Sequence, residues 1–283
     1  MANILLASAD FLPKQGGISW MTHHVGNAFV HLGHTCHLVA PMQAGMNVKE
    51  ALYKLTPDYQ ARPDLSGAWH RLSQTHRIQQ YFAKLYQATP FDMVICLHPH
   101  YYGLPAHLFA KKMGIPIGQT YHGTELRSAV IDTENLTFIS KRLPLLAQRR
   151  SQRIQTLAQK ANAVFVNSSY TSGWVTKLNI EPVITGCGLD ITPKSSTPPF
   201  NSLTNAEKAS LREKLGLSKE RTIGYLGRLA PSKNIKVLIQ AIADQPDLHL
   251  VIIGSGPDEV NLRESAKALG VAHKIHWAGK VSE

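Results

Sequence analysis

A chain of 283 residues is longer than one typical core, so two domains are the expectation. Its hydrophobic fraction of 43% against 17% charged residues excludes a disordered chain. The formal charge of +11, from 30 Lys and Arg over 19 Asp and Glu, favours anionic partners: nucleotides, nucleic acid or acidic lipid headgroups.

The basic excess runs through both parts of the chain. Residues 1–190 carry 17 basic and 10 acidic side chains, and residues 191–283 carry 13 and 9. Cys36, Cys96 and Cys187 lie far apart in apolar or strand-like runs, with no C-x-x-C pair, so buried free thiols in a reducing compartment are expected. The first ten residues lack a basic flank and a long apolar run, and no window reaches transmembrane length. A cytoplasmic protein is the expectation.

Strand and helix signals alternate along the chain. Asn3–Ser8 is a buried strand, followed by Gly16-Gly17 and a helix with Ile18, Met21, Val25, Ala28, Phe29 and Leu32 on one face. His23 and His24 fall off that face and read as solvated. Thr35–Ala40 is the next strand, and residues 41–68 read as irregular. Then come a helix (Trp69–Gln87), a strand (Met93–Leu97), a helix (Tyr102–Met113) and a strand (Pro116–Tyr121). A basic helix over roughly 140–160, a strand (Ala163–Asn167), a helix from Ser168 and a last strand (Glu181–Thr185) complete residues 1–190. Apolar strands alternating with helices predict a doubly wound parallel sheet.

Residues 191–206, rich in Pro, Ser and Thr, read as a linker. Beyond it, residues 207–283 resume the alternation: strand Thr222–Leu226, helix Asn234–Ala243, strand Leu248–Ile253, helix Glu259–Leu269 and strand Lys274–Trp277. Three strands with two helices leave one sheet face half covered. The second domain reads as incomplete and less stable than the first.

The richest segment is Gly224-Tyr-Leu-Gly-Arg-Leu-Ala-Pro-Ser-Lys233. A strand ends at a glycine, Arg228 follows, and Lys233 comes five residues later where a helical pattern opens. Two cations beside a helix N-terminus suit a diphosphate. The Walker spacing is absent, and an ordinary strand-to-helix turn with solvated cations accounts for the segment equally well. Gly254-Ser255-Gly256-Pro257 repeats the device at the next strand end, leaving room for a nucleotide or making only a tight turn.

Within the first part, Gly16-Gly17 lets backbone amides approach a phosphate or sugar, yet it is not the dinucleotide fingerprint G-x-G-x-x-G. His122-Gly123-Thr124-Glu125 stands at a strand's carboxyl end, where open α/β sheets bind ligands. His98 and His100 lack a third ligand at metal-site spacing, so no metal site is expected. The stretch from Lys141 to Arg153 is the densest cationic run, with no acid between Glu134 and Glu181. It suits an acidic membrane surface, or simply a solvated helix face. Aromatic residues are not interleaved with these bases, which disfavours nucleic acid.

Taken in order, these segments resemble the GT-B glycosyltransferases of family 4. Gly16-Gly17-Ile18 is similar to the family's N-terminal Gly-Gly loop, and the strand ending in His98 and His100 to its histidine-ended strand. His122-Gly-Thr-Glu125 matches its HG-x-[DE] segment, and 163–171 its strand and serine turn. Gly227-Arg228-Leu with Lys233 matches the diphosphate-binding arginine and lysine. Ile253–Asp258 and Trp277–Val281 look like the loops flanking the base.

The resemblance implies two Rossmann-like domains and a metal-independent, retaining transfer of sugar from a UDP- or GDP-sugar to a hydroxyl acceptor, without a cofactor. The acceptor would be a glycolipid, polysaccharide or small glycoside. His122 and Glu125 would stand at the donor sugar, Gly16, Gly17, Arg228 and Lys233 at the diphosphate, and Gly254, Gly256 and Val281 near the base. The family's E-x7-E motif has no counterpart before Glu283, so a truncated or split protein is expected, active or reduced to nucleotide-sugar binding. A GT-B nucleotide-sugar epimerase is the other reading. Location in the cytoplasm, with peripheral contact at the inner membrane face, completes the expectation.

Overall fold

The computed structural model describes residues 1–9, 11, 17–41, 54–58, 68–123, 144–186, 203–214, 217 and 221–281. The chain divides into two compact units, Met1–Ile191 and Thr192–Glu283. The first contains β1 (Asn3–Ala7), α1 (Gly17–His31), β2 (Thr35–Pro41), β3 (Lys54–Asp58), α2 (Ala68–Ala88) and β4 (Met93–Cys96). A five-residue π-helical turn (Pro99–Gly103) leads into α3 (Leu104–Met113). Then follow β5 (Ile117–Tyr121), α4 (Pro144–Lys160), β6 (Ala163–Val166), α5 (Ser169–Thr176) and β7 (Val183–Ile184).

Among the described residues these strands form one parallel sheet in the order β3-β2-β1-β4-β5-β6-β7. The order reverses between β1 and β4, which opens a crevice at their carboxyl ends. β1 is apolar throughout because both its faces are buried. Leu5 and Ala7 join Ile78, Phe82, Tyr102 and Phe109 on one side, while Ile4 and Leu6 join Phe11, Leu38, Ile95 and Leu97 on the other. Met21, Val25 and Phe29 of α1 pack on that second layer. A further cluster of Tyr121, Ile154, Ala158, Val164, Val166 and Val175 holds α4 and α5 on β5 and β6.

Three expectations need correction in this unit. Ala28 is exposed within α1, and Leu32 is 73% exposed because α1 ends at His31 in a cap in which the Gly33 and His34 amides donate to Val30 and Phe29. The deepest residues of α1 are instead Ser19, Thr22, His23 and Gly26. Small side chains there let the helix close on the end of β1, where Ser8 Oγ and Thr22 Oγ1 are 3.0 Å apart. His23 is therefore only 4% exposed rather than solvated, with Trp20 edge-on at 6.2 Å. Lastly, the irregular span contains β3, an edge strand whose Pro57 pairs opposite Ala40. Proline belongs on an edge, where a missing amide costs no ladder bond.

The second unit contains α6 (Asn205–Lys214), β8 (Arg221–Leu226), a 3-10 turn (Pro231–Lys233), α7 (Lys236–Ala243), β9 (Leu248–Ile253), α8 (Glu259–Ala268) and β10 (Ile275–Gly279). Its parallel sheet runs β10-β9-β8. Leu229, Ile239, Ile242, Leu250, Ile252, Leu262 and Ile275 form the core under α7 and α8. A third helix, α6, corrects the expectation of two. It starts inside the stretch read as linker, capped reciprocally by Thr204 and Glu207 at 2.7–3.3 Å. Residues 191–202 lie outside the described residues.

Burial also sets the titration of several groups in the first unit. Cys36 and Cys96 are pushed up to about 12 by desolvation, so both are inert thiols at neutral pH. His37 is held below its ordinary value by burial and then by Lys54, and His107 by burial, Lys160 and Lys111. A depressed histidine leaves stability intact above the unfolded value of 6.5 and removes it as pH falls, because the unfolded chain takes the proton first. The urea midpoint is expected to fall between roughly pH 7 and 5.5, and less so for His107→Gln. An identical slope for that variant would show that His107 takes no part.

Candidate functional site

The carboxyl edge of the first sheet gathers polar groups from four strands. Ser8 follows β1 and is fully buried. His98 follows β4, and its carbonyl accepts the Cys96 thiol at 3.1 Å. His122 follows β5, with Nε2 2.8 Å from the Leu97 carbonyl. A carbonyl only accepts, so Nε2 carries the hydrogen there, and a neutral ring presents Nδ1 as an acceptor. Asn167 follows β6, and its Oδ1 accepts Thr171 Oγ1 at 2.8 Å and Ser168 Oγ at 3.2 Å.

These strand ends are packed against one another. Gly123 has φ +104, and a Cβ there would stand 3.1 Å from Thr171 Oγ1, so the His122-Gly123 turn rests on the Asn167–Thr171 network. The π-helical turn after β4 is held by Gln119 of β5, whose Nε2 donates to the Gly103 carbonyl at 3.3 Å. Local π-geometry of this kind is frequent at functional sites. Gly17 opens α1 with open space around its Cα. Gly16 and Glu125 lie outside the described residues, as does the side chain of His100.

The second unit has its own strand-end site. After β8, the Gly227 amide donates to the Ile253 carbonyl at 2.9 Å and the Leu229 amide to the Ser255 carbonyl at 3.0 Å. Asp258 returns its amide to the Leu229 carbonyl at 3.1 Å, and Gly254 donates to Gly279 at 2.7 Å. A Cβ on Gly254 would overlap the Gly227 carbonyl oxygen, and one on Gly256 the Leu229 carbonyl oxygen. The loops after β8 and β9 thus touch backbone to backbone, and the space that these glycines create is filled by the neighbouring loop.

Arg228 projects from that paired loop and is exposed, as is Lys233. Neither forms an ion pair among the described residues. Lys233 closes the 3-10 turn rather than opening a helix. Asn234, at φ +48, separates it from α7. Val281 is 55% exposed beyond β10. Among the described residues no group of three His, Cys, Asp or Glu side chains gathers around a metal position.

Sequence comparison agrees with this architecture. Residues 15–192 match the family model Glycosyltransferase Family 4, and residues 207–283 match Glycosyl transferases group 1. The chain belongs to this family of GT-B glycosyltransferases. It is 25% identical over 191 residues to D-inositol 3-phosphate glycosyltransferase of Segniliparus rotundus, covering 63% of this chain and 40% of that protein. It is 32% identical over 83 residues to alpha-D-kanosaminyltransferase of Streptomyces kanamyceticus, covering 28% and 22%. The chain thus spans less than half of these relatives' lengths.

Among solved structures, HepE of Anabaena in complex with UDP and glucose superposes with a TM-score of 0.71 at 15% identity, covering 100% of this chain and 70% of that one. Sucrose-phosphate synthase of Thermosynechococcus elongatus gives 0.72 at 15%, covering 100% and 71%. UDP-GlcNAc 2-epimerase of Neisseria meningitidis gives 0.55 at 13%, covering 99% and 73%. These likenesses establish the fold.

Because the Gly254 position admits neither a Cβ nor an ordinary φ (here +137), Gly254→Ala is expected to push the two loops apart. Overpacking of this kind costs about 1–3 kcal/mol. A thermal midpoint equal to that of the parent protein would show that the loops yield freely.

Proposed function

We propose that the chain binds a nucleotide-diphospho-sugar and transfers its sugar to a hydroxyl acceptor with retention of configuration. The observation that carries this reading is the pair of exposed cations, Arg228 and Lys233, unpaired among the described residues on a glycine-knit strand-end loop. Glycosyl transfer from such a donor builds negative charge on the leaving diphosphate, and cations fixed in advance stabilise it most where it develops. They would do so in place of a bound divalent cation. Crystallised HepE complexes hold UDP, glucose and UDP-glucose, which supports a nucleotide-sugar donor here.

In this reading His122 contacts the donor sugar, and Glu125 lies three residues on. The Nε2 bond to the Leu97 carbonyl fixes the orientation of the ring at the strand end, which supports a contact role rather than proton transfer in this reading. Gly16 and Gly17 would approach the donor through backbone amides. Gly254, Gly256 and Val281 would border the base, the glycines by holding the loop rather than by touching the ligand. The acceptor class stays a glycolipid, polysaccharide or small glycoside. Residues 135–180 hold no acid and seven Lys or Arg, which supports contact with an acidic membrane face in the cytoplasm. No helix among the described residues is long and apolar enough to cross a membrane.

Calorimetry separates the diphosphate contribution. Hydrogen bonds to charged groups are worth roughly 1.5–3 kcal/mol, so Arg228→Ala should weaken UDP or GDP binding about ten- to a hundredfold. Uridine and guanosine should bind as before. Equal losses for nucleotide and nucleoside would overturn the assignment.

His122→Ala should act differently. Release of nucleoside diphosphate from the sugar donor should drop by about an order of magnitude or more, as when one transition-state contact is removed. UDP affinity should stay within about twofold, since His122 meets the sugar and not the diphosphate. Unchanged turnover would return His122 to a structural role.

A further inference from the structure

Arg228 is held by its main chain before any ligand arrives. The amides on either side of it, Gly227 and Leu229, both donate to the loop after β9. Its own carbonyl accepts two hydrogens, from the Ala230 amide at 3.1 Å and from the Tyr225 hydroxyl at 3.0 Å. Tyr225 packs its ring against the core under α7 and α8, which leaves the phenol tip at the end of β8. A Cβ on Gly227 would stand 3.0 Å from that hydroxyl, so the glycine is what lets the phenol reach past it.

From this geometry we propose that Tyr225 is a positioning residue for Arg228, anchoring the turn that presents the guanidinium to a nucleoside diphosphate. The proposal rests on the functional reading above. It goes beyond that reading by assigning a role to a side chain that touches no ligand. An arginine on a long side chain loses affinity when its backbone wanders, because the ordering cost is then met at binding. One rigid ring, anchored in the core and bonded to the Arg228 carbonyl, meets that cost in advance. The neighbouring loop restrains residues 227 and 229, while Tyr225 alone among side chains restrains residue 228 in the described hydrogen bonds.

Tyr225→Phe keeps the ring and removes only the donor. Binding of UDP, GDP, uridine and guanosine would be measured for the parent protein, Tyr225→Phe and Arg228→Ala, with hydrogen exchange followed across residues 225–231. Tyr225→Phe is expected to weaken the nucleoside diphosphate about two- to tenfold, the range to which one neutral hydrogen bond converts. Nucleoside affinity and the thermal midpoint should hold, and the Ala230 amide should exchange faster. Diphosphate affinity at the parent level beside a clear loss in Arg228→Ala would overturn the positioning role and leave the functional reading standing. Equal losses for nucleotide and nucleoside would likewise overturn it, as a general structural effect. No loss in Arg228→Ala, or no binding of UDP or GDP by the parent, would overturn the functional reading and this inference with it.

Discussion

Every strand in both sheets runs parallel to its neighbours, and that one constraint arranges the rest of the molecule. A parallel pair cannot be joined by a tight hairpin, so each connection has to return to the opposite edge before the next strand begins. All carboxyl ends therefore emerge on one edge of each sheet. Residues distant in sequence, Ser8, His98, His122 and Asn167, arrive together because each is the first polar group after a buried strand. In the second unit the same rule brings together the loops at 227, 254 and 279. Polar groups collect at this edge because the rest of each strand is occupied by core.

The depth of that core explains why the edge can be polar without loosening. β1 and β4 are buried on both faces; β1 hands over directly to the fully buried Ser8, and β4 leads through buried Leu97 to the half-buried His98. Two bonds tie the strand ends here: the Cys96 thiol donates to the His98 carbonyl at 3.1 Å, and the His122 ring meets the Leu97 carbonyl at 2.8 Å. A buried polar group without a partner costs about 1–3 kcal/mol, so the bond to the Leu97 carbonyl favours one orientation of the His122 ring. The tautomer of His122 thus follows from the backbone of β4, a strand away. Sequence spacing alone cannot show that link.

What the sequence revealed and what it hid divide along physical lines. Long apolar strands and helix periodicity marked most elements, because both faces of the first sheet are covered and the pattern is strong. β3 was hidden: Lys-Leu-Thr-Pro-Asp has turn composition, and only its place at the sheet edge makes it a strand. α6 was hidden by the prolines before it, although Thr204 and Glu207 carried a capping signature. The α1 stripe was half right. Met21, Val25 and Phe29 pack as the period demands, but the helix tilts its small polar residues in deepest, which no hydrophobic pattern reports. Arg228 and Lys233 were legible as cations after a strand, whereas the Tyr225 hydroxyl bond was not, since a tyrosine in an apolar run reads as core.

The glycines of the second unit show why a motif and its mechanism need separating. Gly254 and Gly256 look like space reserved for a ligand, yet the atoms that fill this space belong to Gly227 and Leu229. In the proposed reading their effect on a diphosphate would therefore be indirect, through the packing of the Arg228 loop. Nearby charges complete the arrangement. Asp258 accepts from Asn261 at 3.0 Å, and Glu259 pairs with Arg263 at 2.8 Å, both within the first turns of α8. Carboxylates at a helix N-terminus are stabilised there by the helix dipole and by these partners. The two acids nearest the glycine loop in sequence are thereby engaged elsewhere, and Arg228 and Lys233 keep their charge uncompensated. An exposed cation that its own fold does not neutralise retains its full attraction for an anionic ligand, and that leaves the second unit's strand edge electrically suited to a diphosphate.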